Sequence, residues 1–340
     1  MERTQVAALI IPSQVVADSA VSDGKKRDGI VHPLSPIADK SVEGWIVDAA
    51  VGASVRRIAV ISAHIDNWTR DELKDRSDDA LIEIVRPMAD VAESLAFGIE
   101  RLGSDLTLRD NTHVLILPAE SPQIESGELR EVIASHLSSG AAATLVTSQG
   151  DDSASEPVVL RDEDGLVSSI IDAPLGGGTY MCVRASVLVP TLRRVLRPRS
   201  DTSAPLAEIG RVLDSTGYSV DVHERDTPLM AIRSIASRAV IEQELRDRII
   251  DKWLDRGVVM PDRRQVSIGS SVTLGRGVQL LPGSVLEGNT VVADGARIGP
   301  NTHLIDATVG SLAQVPHSVV DRNEVPARDE LAPFTVMGPR

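Results

Sequence analysis

Residues 266–310 read VSIGSSVTLGRGVQLLPGSVLEGNTVVADGARIGPNTHLIDATVG, and aliphatic side chains recur there every six positions: Ile268, Leu274, Leu280, Leu286, Val292, Ile298 and Leu304. The position four further on is small or β-branched, at Val272, Val278, Ser284, Thr290, Ala296, Thr302 and Thr308. Glycine follows the aliphatic residue at Gly269, Gly275 and Gly299. After a five-residue step the pattern resumes at Val309 and Val315, with Ala313 and Val319, and more loosely at Val325 and Leu331. A period of six suits neither a helix nor an alternating strand. It suits a parallel β-helix in which three short strands and three tight corners make one coil. The aliphatic residue stacks inside, the small residue lets the corner close, and Gly or Asn takes the turn conformation. An irregular glycine-rich β-domain would not keep seven hexads in register by chance. At about eighteen residues per coil, the stretch makes roughly four coils. The flat apolar faces and open strand edges of such a prism predict self-association.

Upstream, strand and helix patterns alternate. Strands are expected at Gln5–Ile11, Arg56–Ser62, Ile82–Val85, Thr112–Leu117 and Ala142–Val146, with helices at Val42–Val51, Asp90–Leu102 and Ser126–Ser138. This alternation predicts a largely parallel sheet with helices on both faces. Beyond Gly150 come shorter pieces: strands at Pro157–Leu160, Leu166–Ile171, Thr179–Val183 and Ser219–His223, and helices at Val187–Leu196 and Leu206–Ser215. A last helix, from about Ser234 to Arg256, leads into the hexads. Ser234 is its N-cap, Gly257 its stop, and Ile241, Leu245, Ile249 and Trp253 share one face.

The chain has 340 residues, a net charge of −14, 42% hydrophobic residues, 2% aromatic residues and one cysteine, Cys182. The length allows two cores. The acidic balance argues against a nucleic-acid or anionic-membrane partner, and the scarcity of aromatics against a base-stacking platform. A lone thiol makes no intrachain disulfide and no cysteine-built zinc site, so a reducing cytoplasm is the expected compartment. Neither a signal layout nor a membrane-length apolar run is present, and a soluble cytoplasmic protein is expected.

In an open α/β sheet, ligands sit beyond the C-terminal strand ends, where strand order reverses. The candidate lining is therefore Pro12–Arg27, Pro87–Glu93, Pro118–Pro122 and Gly176–Tyr180. Lys25, Lys26 and Arg27 could meet phosphate or could be a solvated basic loop tip. Glu120, following a buried strand, is placed for a divalent metal or is a solvated loop acid. Gly176-Gly177-Gly178 offers a backbone approach to a ligand or a flexible turn. The seven histidines show no metal-ligand spacing, and no nucleophile–base or paired-carboxylate arrangement stands out.

Several segments together resemble one family. They are His32-Pro33-Leu34, Val47-Asp48-Ala49-Ala50, Val55 to Val60, the linker Leu245 to Ile249 through Trp253 and Gly257-Val258, and the runs Leu280 to Gly283 and Ile298 to Thr302. The resemblance is to the bifunctional N-acetylglucosamine-1-phosphate uridylyltransferase/glucosamine-1-phosphate N-acetyltransferase of bacterial cell-wall precursor synthesis, and it covers nearly the whole chain. It implies an α/β, Rossmann-like nucleotidyltransferase domain over 1–233, a linker helix over 234–257 and a short left-handed hexapeptide-repeat β-helix over 258–340. It also implies a homotrimer through the β-helix.

The departures from that family fall where it keeps its chemistry. Its glycine-rich phosphate loop is replaced by Ile11-Pro12-Ser13-Gln14, and Gly29 stands in place of a lysine. Its uracil-binding loop becomes Arg86 to Glu93, and its magnesium aspartate becomes Glu120. Arg233 aligns with its second magnesium ligand, an asparagine, and an arginine cannot ligate a cation. Gly176 replaces a sugar-contacting asparagine, while Gly178 and Tyr180 are kept. The family's acetyl-coenzyme A site and catalytic histidine belong to coils later than Arg340.

The expectation is therefore a non-catalytic homologue without catalytic residues or a cofactor, acting as a trimeric scaffold or regulator in sugar-nucleotide metabolism. It could assemble with the genuine uridylyltransferase/acetyltransferase. The alternative is an active sugar-1-phosphate nucleotidylyltransferase, or a sugar-nucleotide sensor, with a rebuilt site. In that case Lys25, Lys26, Arg27, Gly176, Gly178, Tyr180 and Arg233 would contact substrate, and Glu120 would hold Mg²⁺.

Overall fold

The computed structural model describes residues 5–12, 36–62, 65, 67–74, 76, 78–88, 91–103, 111–148, 158–161, 167–171, 180–195 and 205–339. They divide into two compact units, one holding the described residues of 5–12 and 41–237, the other those of 36–40 and 238–339.

The first unit carries strands β1 (Gln5–Ile11), β2 (Arg57–Ile61), β3 (Leu81–Val85), β4 (Thr112–Pro118), β5 (Ala143–Ser148), β6 (Val158–Arg161), β7 (Val167–Ile171), β8 (Tyr180–Arg184) and β9 (Val220–Arg225). Its helices are α1 (Val42–Gly52), α2 (Asn67–Lys74), α3 (Val91–Leu102), α4 (Ser126–Ser139), α5 (Ala185–Val195) and α6 (Pro205–Ser215). Seven strands form a sheet in the order β3-β2-β1-β4-β8-β5-β9, and β8 alone runs antiparallel to its neighbours. β6 and β7 make a separate antiparallel pair.

Strand alternation explains why the central strands read as unbroken apolar runs. Leu9 and Ile11 of β1, with Val114 and Ile116 of β4, enter a core with Leu95 and Ile99 of α3 and Leu188 and Leu192 of α5. Ala8 and Ile10, with Leu115 and Leu117, enter the opposite core with Ile46 and Val47 of α1 and Leu129 and Val132 of α4. Both faces are covered, so Val6–Ile11 and Val114–Leu117 are apolar throughout. Helix α2 was not anticipated. It is short and buries only Thr69 and Leu73, a pair too sparse to show a helical period.

The second unit begins with α7 (Ile235–Asp255), whose first turn lies at the division between the units. Ile241, Leu245, Ile249 and Trp253 are buried along it as their spacing implies. Ser234 Oγ accepts from Ser237 N at 3.1 Å, and Ser237 Oγ accepts from Ser234 N at 3.0 Å, a reciprocal cap. Gly257, at φ +86°, stops the helix. Ser234→Ala is expected to cost about 1 kcal/mol in urea unfolding. An unchanged midpoint would show that the cap contributes nothing.

After a 3₁₀ turn (Arg263–Gln265) the chain winds through three parallel sheets. One stacks β10 (Val266–Ile268), β13 (Ser284–Glu287), β16 (His303–Ile305), β19 (Val319–Asp321) and β21 (Val336–Met337). The next stacks β11 (Thr273–Leu274), β14 (Val291–Val292), β17 (Thr308–Val309) and β20 (Glu324–Val325). The third stacks β12 (Gln279–Leu280), β15 (Arg297–Ile298) and β18 (Gln314–Val315). Ile268, Leu286 and Leu304 come into register, as do Leu274, Val292 and Val309, and Leu280, Ile298 and Val315. This is the three-sided parallel β-helix that the period of six predicts.

Two of the small interior positions differ from the sequence reading. Thr308 is exposed and Val319 half-buried, and the corners are closed by Ala307 and Ser318. Both corners belong to five-residue steps, where the inward position moves one residue earlier. Buried hydroxyls are satisfied by backbone carbonyls: Ser284 Oγ donates to Leu281 O at 2.6 Å, Thr290 Oγ1 to Glu287 O at 2.7 Å and Thr302 Oγ1 to Val315 O at 2.7 Å. At the corners, Gly283 and Gly288 have positive φ, and a Cβ there would strike the side chains of Asn301 and Asp306 in the next coil. Glycine is therefore needed in the earlier coil, and Asn and Asp are tolerated in the later one.

Candidate functional site

The parallel strands of the first unit end along one edge, at Ile11, Ile61, Val85, Pro118, Ser148 and Arg225. From β1 the order runs one way through β2 and β3, while β4 lies on its other side, so the reversal falls between β1 and β4. Ala119 N donates to Ile11 O at 2.8 Å, which keeps these strands paired to the edge, and Glu120 begins the turn beyond.

Residues 229–233 lie across that turn. Ile232 N donates to Glu120 O at 2.9 Å and Met230 N to Gln123 Oε1 at 3.0 Å, with Leu229 and Ile232 buried beneath. Arg233 follows at once, exposed, its N–H held by Ser237 Oγ at 3.0 Å. The fold thus brings together two candidates, Glu120 and Arg233, that lie far apart in sequence. Ser121 Oγ, fully buried in the same turn, has no hydrogen-bond partner among the described residues.

Tyr180 is committed elsewhere. It is fully buried, and its hydroxyl donates to Glu128 of α4. Arg225, at the end of β9, meets the same carboxylate with Nε at 2.6 Å from Oε1 and Nη2 at 3.1 Å from Oε2. Burial first, then the Glu128 carboxylate, pushes the Tyr180 phenol far above its ordinary pKa, so it stays neutral. The side-chain hydroxyl of Tyr180, expected as a substrate contact if a site exists, is here spent on Glu128. Lys25, Lys26, Arg27, Gly176 and Gly178 lie outside the described residues.

The edge also carries acids that the sequence reading missed. Glu43, in the first turn of α1, accepts from Ser62 Oγ at 3.1 Å, and Glu72 accepts from Ser41 N at 3.0 Å. Ser41 Oγ in turn caps α1 through Gly44 N at 2.9 Å. Ser41 had a visible signal, being an N-cap residue one position before a helical run. The glutamates had none, because their partners come from other elements.

Among the described residues, no three His, Cys, Asp or Glu side chains gather in a way that could hold a metal. Arg233, which follows the stretch of chain bonded to the Glu120 turn, is a donor only and cannot ligate a cation. These residues do not fit a divalent-cation site. In the second unit, a cleft of about 710 Å³ is lined by Arg246, Arg263, Arg264 and Ser267 among others. Arg246 there binds Glu242 and Ser267, and Arg263 binds Asp247 and Asp251, so most of its positive charge is already answered.

Comparison with known proteins places this architecture. No family model matches the chain. The Bifunctional protein GlmU of Caldanaerobacter subterraneus subsp. tengcongensis is 25% identical over 326 residues, covering 92% of this chain and 68% of that protein. The chain is a distant relative of the GlmU family. The GlmU of Streptomyces avermitilis is 24% identical over 343 residues, covering 97% of this chain and 70% of that protein. That of Clavibacter sepedonicus is 26% identical over 342 residues, covering 96% and 68%. Similarity to GlmU therefore runs through both units of the fold. A solved 4-diphosphocytidyl-2C-methyl-D-erythritol synthase from Anaerococcus prevotii covers 72% of this chain and 98% of its own, with a TM-score of 0.48 and 12% identity.

Proposed function

We propose that this GlmU relative is a non-catalytic homologue, a scaffold or regulator in sugar-nucleotide or cell-wall precursor metabolism. The observation that carries the reading is the Ile232–Glu120 backbone bond. It supports the alignment that puts Arg233 beside Glu120, where the uridylyltransferase that the sequence resembles would pair two magnesium ligands. A guanidinium there brings positive charge but no lone pair for a cation. Nucleotidyl transfer relies on metal and cationic groups to neutralise charge, and losing one such stabiliser costs about 3 kcal/mol of barrier. The replaced phosphate loop at Pro12 to Gln14 adds to that loss.

Self-association through the β-helix, wound left-handed as in the family, belongs to the same reading. It is supported by the exposed apolar residues Val291, Leu312, Phe334 and Val336 on that unit. A mixed assembly with the genuine uridylyltransferase/acetyltransferase would use the same surface. Among the described residues no helix is long and apolar enough to cross a membrane, and a cytoplasmic setting is part of the proposal.

Calorimetry with UTP, UDP-N-acetylglucosamine and Mg²⁺ tests the scaffold reading, which expects no heat at millimolar ligand. Saturable heat without turnover would replace the scaffold with a sensor. In that case Lys25, Lys26, Arg27, Gly176, Gly178 and Arg233 would be the contacts to mutate first.

A further inference from the structure

We propose that residues 36–40, which lie in sequence between β1 and α1 but belong by their contacts to the β-helix unit, act as a clip that ties the unfolding of the two units together. This does not rest on the proposed function. Between β1 and α1 the chain makes a tight turn, in which Ile37 N donates to Lys40 O at 2.8 Å and Lys40 N to Ile37 O at 3.2 Å. Its two central residues, Ala38 and Asp39, have φ of +49° and +62°. Alanine gains nothing locally from that conformation, so contacts outside the turn must hold it.

Three such contacts exist, all within the second unit, to which the turn itself belongs. Pro36 O accepts from Arg238 Nη2 at 2.7 Å, and Arg238 is itself buried in the first turns of α7. Ala38 O accepts from Ser270 N at 2.8 Å. Asp39 Oδ2 accepts from Gly288 N at 3.0 Å. Ser270 and Gly288 sit at corners of successive coils, so the turn spans the coil-to-coil step. Gly269 makes room for it: a Cβ there would strike the Asp39 carboxylate. Ile37 is fully buried, and Ala38 and Lys40 nearly so. Since α1 starts two residues after Lys40, the chain passes between the units here as well as in the first turn of α7.

Asp39→Gly removes the carboxylate and keeps the left-handed backbone at no cost. Asp39→Asn keeps an acceptor and tolerates the same φ. In the full chain, with Trp45 alone or Trp253 alone kept as the fluorophore, urea unfolding of each unit can be followed separately. The wild type and Asp39→Asn are expected to give coincident transitions from the two reporters, and Asp39→Gly separate ones. Amide exchange at Gly288 should speed up about tenfold in Asp39→Gly and stay near wild type in Asp39→Asn. Coincident transitions in Asp39→Gly, separate ones in the wild type, or unchanged exchange at Gly288 would each overturn the clip.

Discussion

Glu128→Ala is expected to destabilise the first unit by about 3–5 kcal/mol, read as a shift in the urea midpoint. Glu128 of α4 serves two partners, the Tyr180 hydroxyl of β8, whose residue is fully buried, and the part-buried Arg225 guanidinium of β9. Deleting the carboxylate leaves the part-buried arginine charge without the counter-ion it meets here and the phenol without its acceptor. Arg225 Nη1 already lacks an acceptor among the described residues, so the guanidinium has no spare partner to turn to. Glu128→Gln keeps an acceptor for Tyr180 and loses only the charge, and it should cost less than half as much. If both variants unfolded within about 1 kcal/mol of the wild type, the pair would be an exposed one in practice.

The second large effect is acid destabilisation through two buried histidines. His113 Nδ1 and His136 Nε2 lie 2.9 Å apart, and His136 Nδ1 lies 2.9 Å from Thr144 Oγ1. Burial, with Arg184 nearby, lowers the His113 pKa from 6.5 to about 4. Burial, then His113 and Arg184, lowers that of His136 to about 4 against a smaller opposing pull from Asp221. Both folded values lie below the unfolded one, so the unfolded chain takes up protons first as pH falls. Stability from this pair is fully present above about pH 6.5, is lost progressively down to pH 4, and changes no further below that. Between pH 7 and pH 5, before ordinary carboxylates titrate, the loss should be about 2 kcal/mol for each histidine. His136→Gln should flatten this slope even as it lowers overall stability. A wild-type curve already flat over that range would mean the pair is not held neutral.

The β-helix was readable because its period repeats in the chain itself, from Ile268 to Leu304. The reading slipped only at Thr308 and Val319, where five-residue steps break the period. The sheet was readable for a related reason: Val6–Ile11 of β1 and Val114–Leu117 of β4 run apolar without a break. Helix α2 buries too little to leave a pattern. The site divides along the same line. Nothing local joins Glu120 to residues 229–233, and only the folded chain shows Ile232 N bonded to Glu120 O. Tyr180, Glu128 and Arg225 meet only after three elements pack, and His113 and His136 pair across β4 and α4 without any metal-ligand spacing to mark them.

Pyrophosphate release from UTP and N-acetylglucosamine-1-phosphate in the presence of Mg²⁺ bears most directly on whether the nucleotide chemistry has been lost. The proposed non-catalytic reading expects no release above the protein-free blank at any Mg²⁺ concentration. Steady, Mg²⁺-dependent turnover at an ordinary enzymatic rate, about 1 per second or faster, would contradict it.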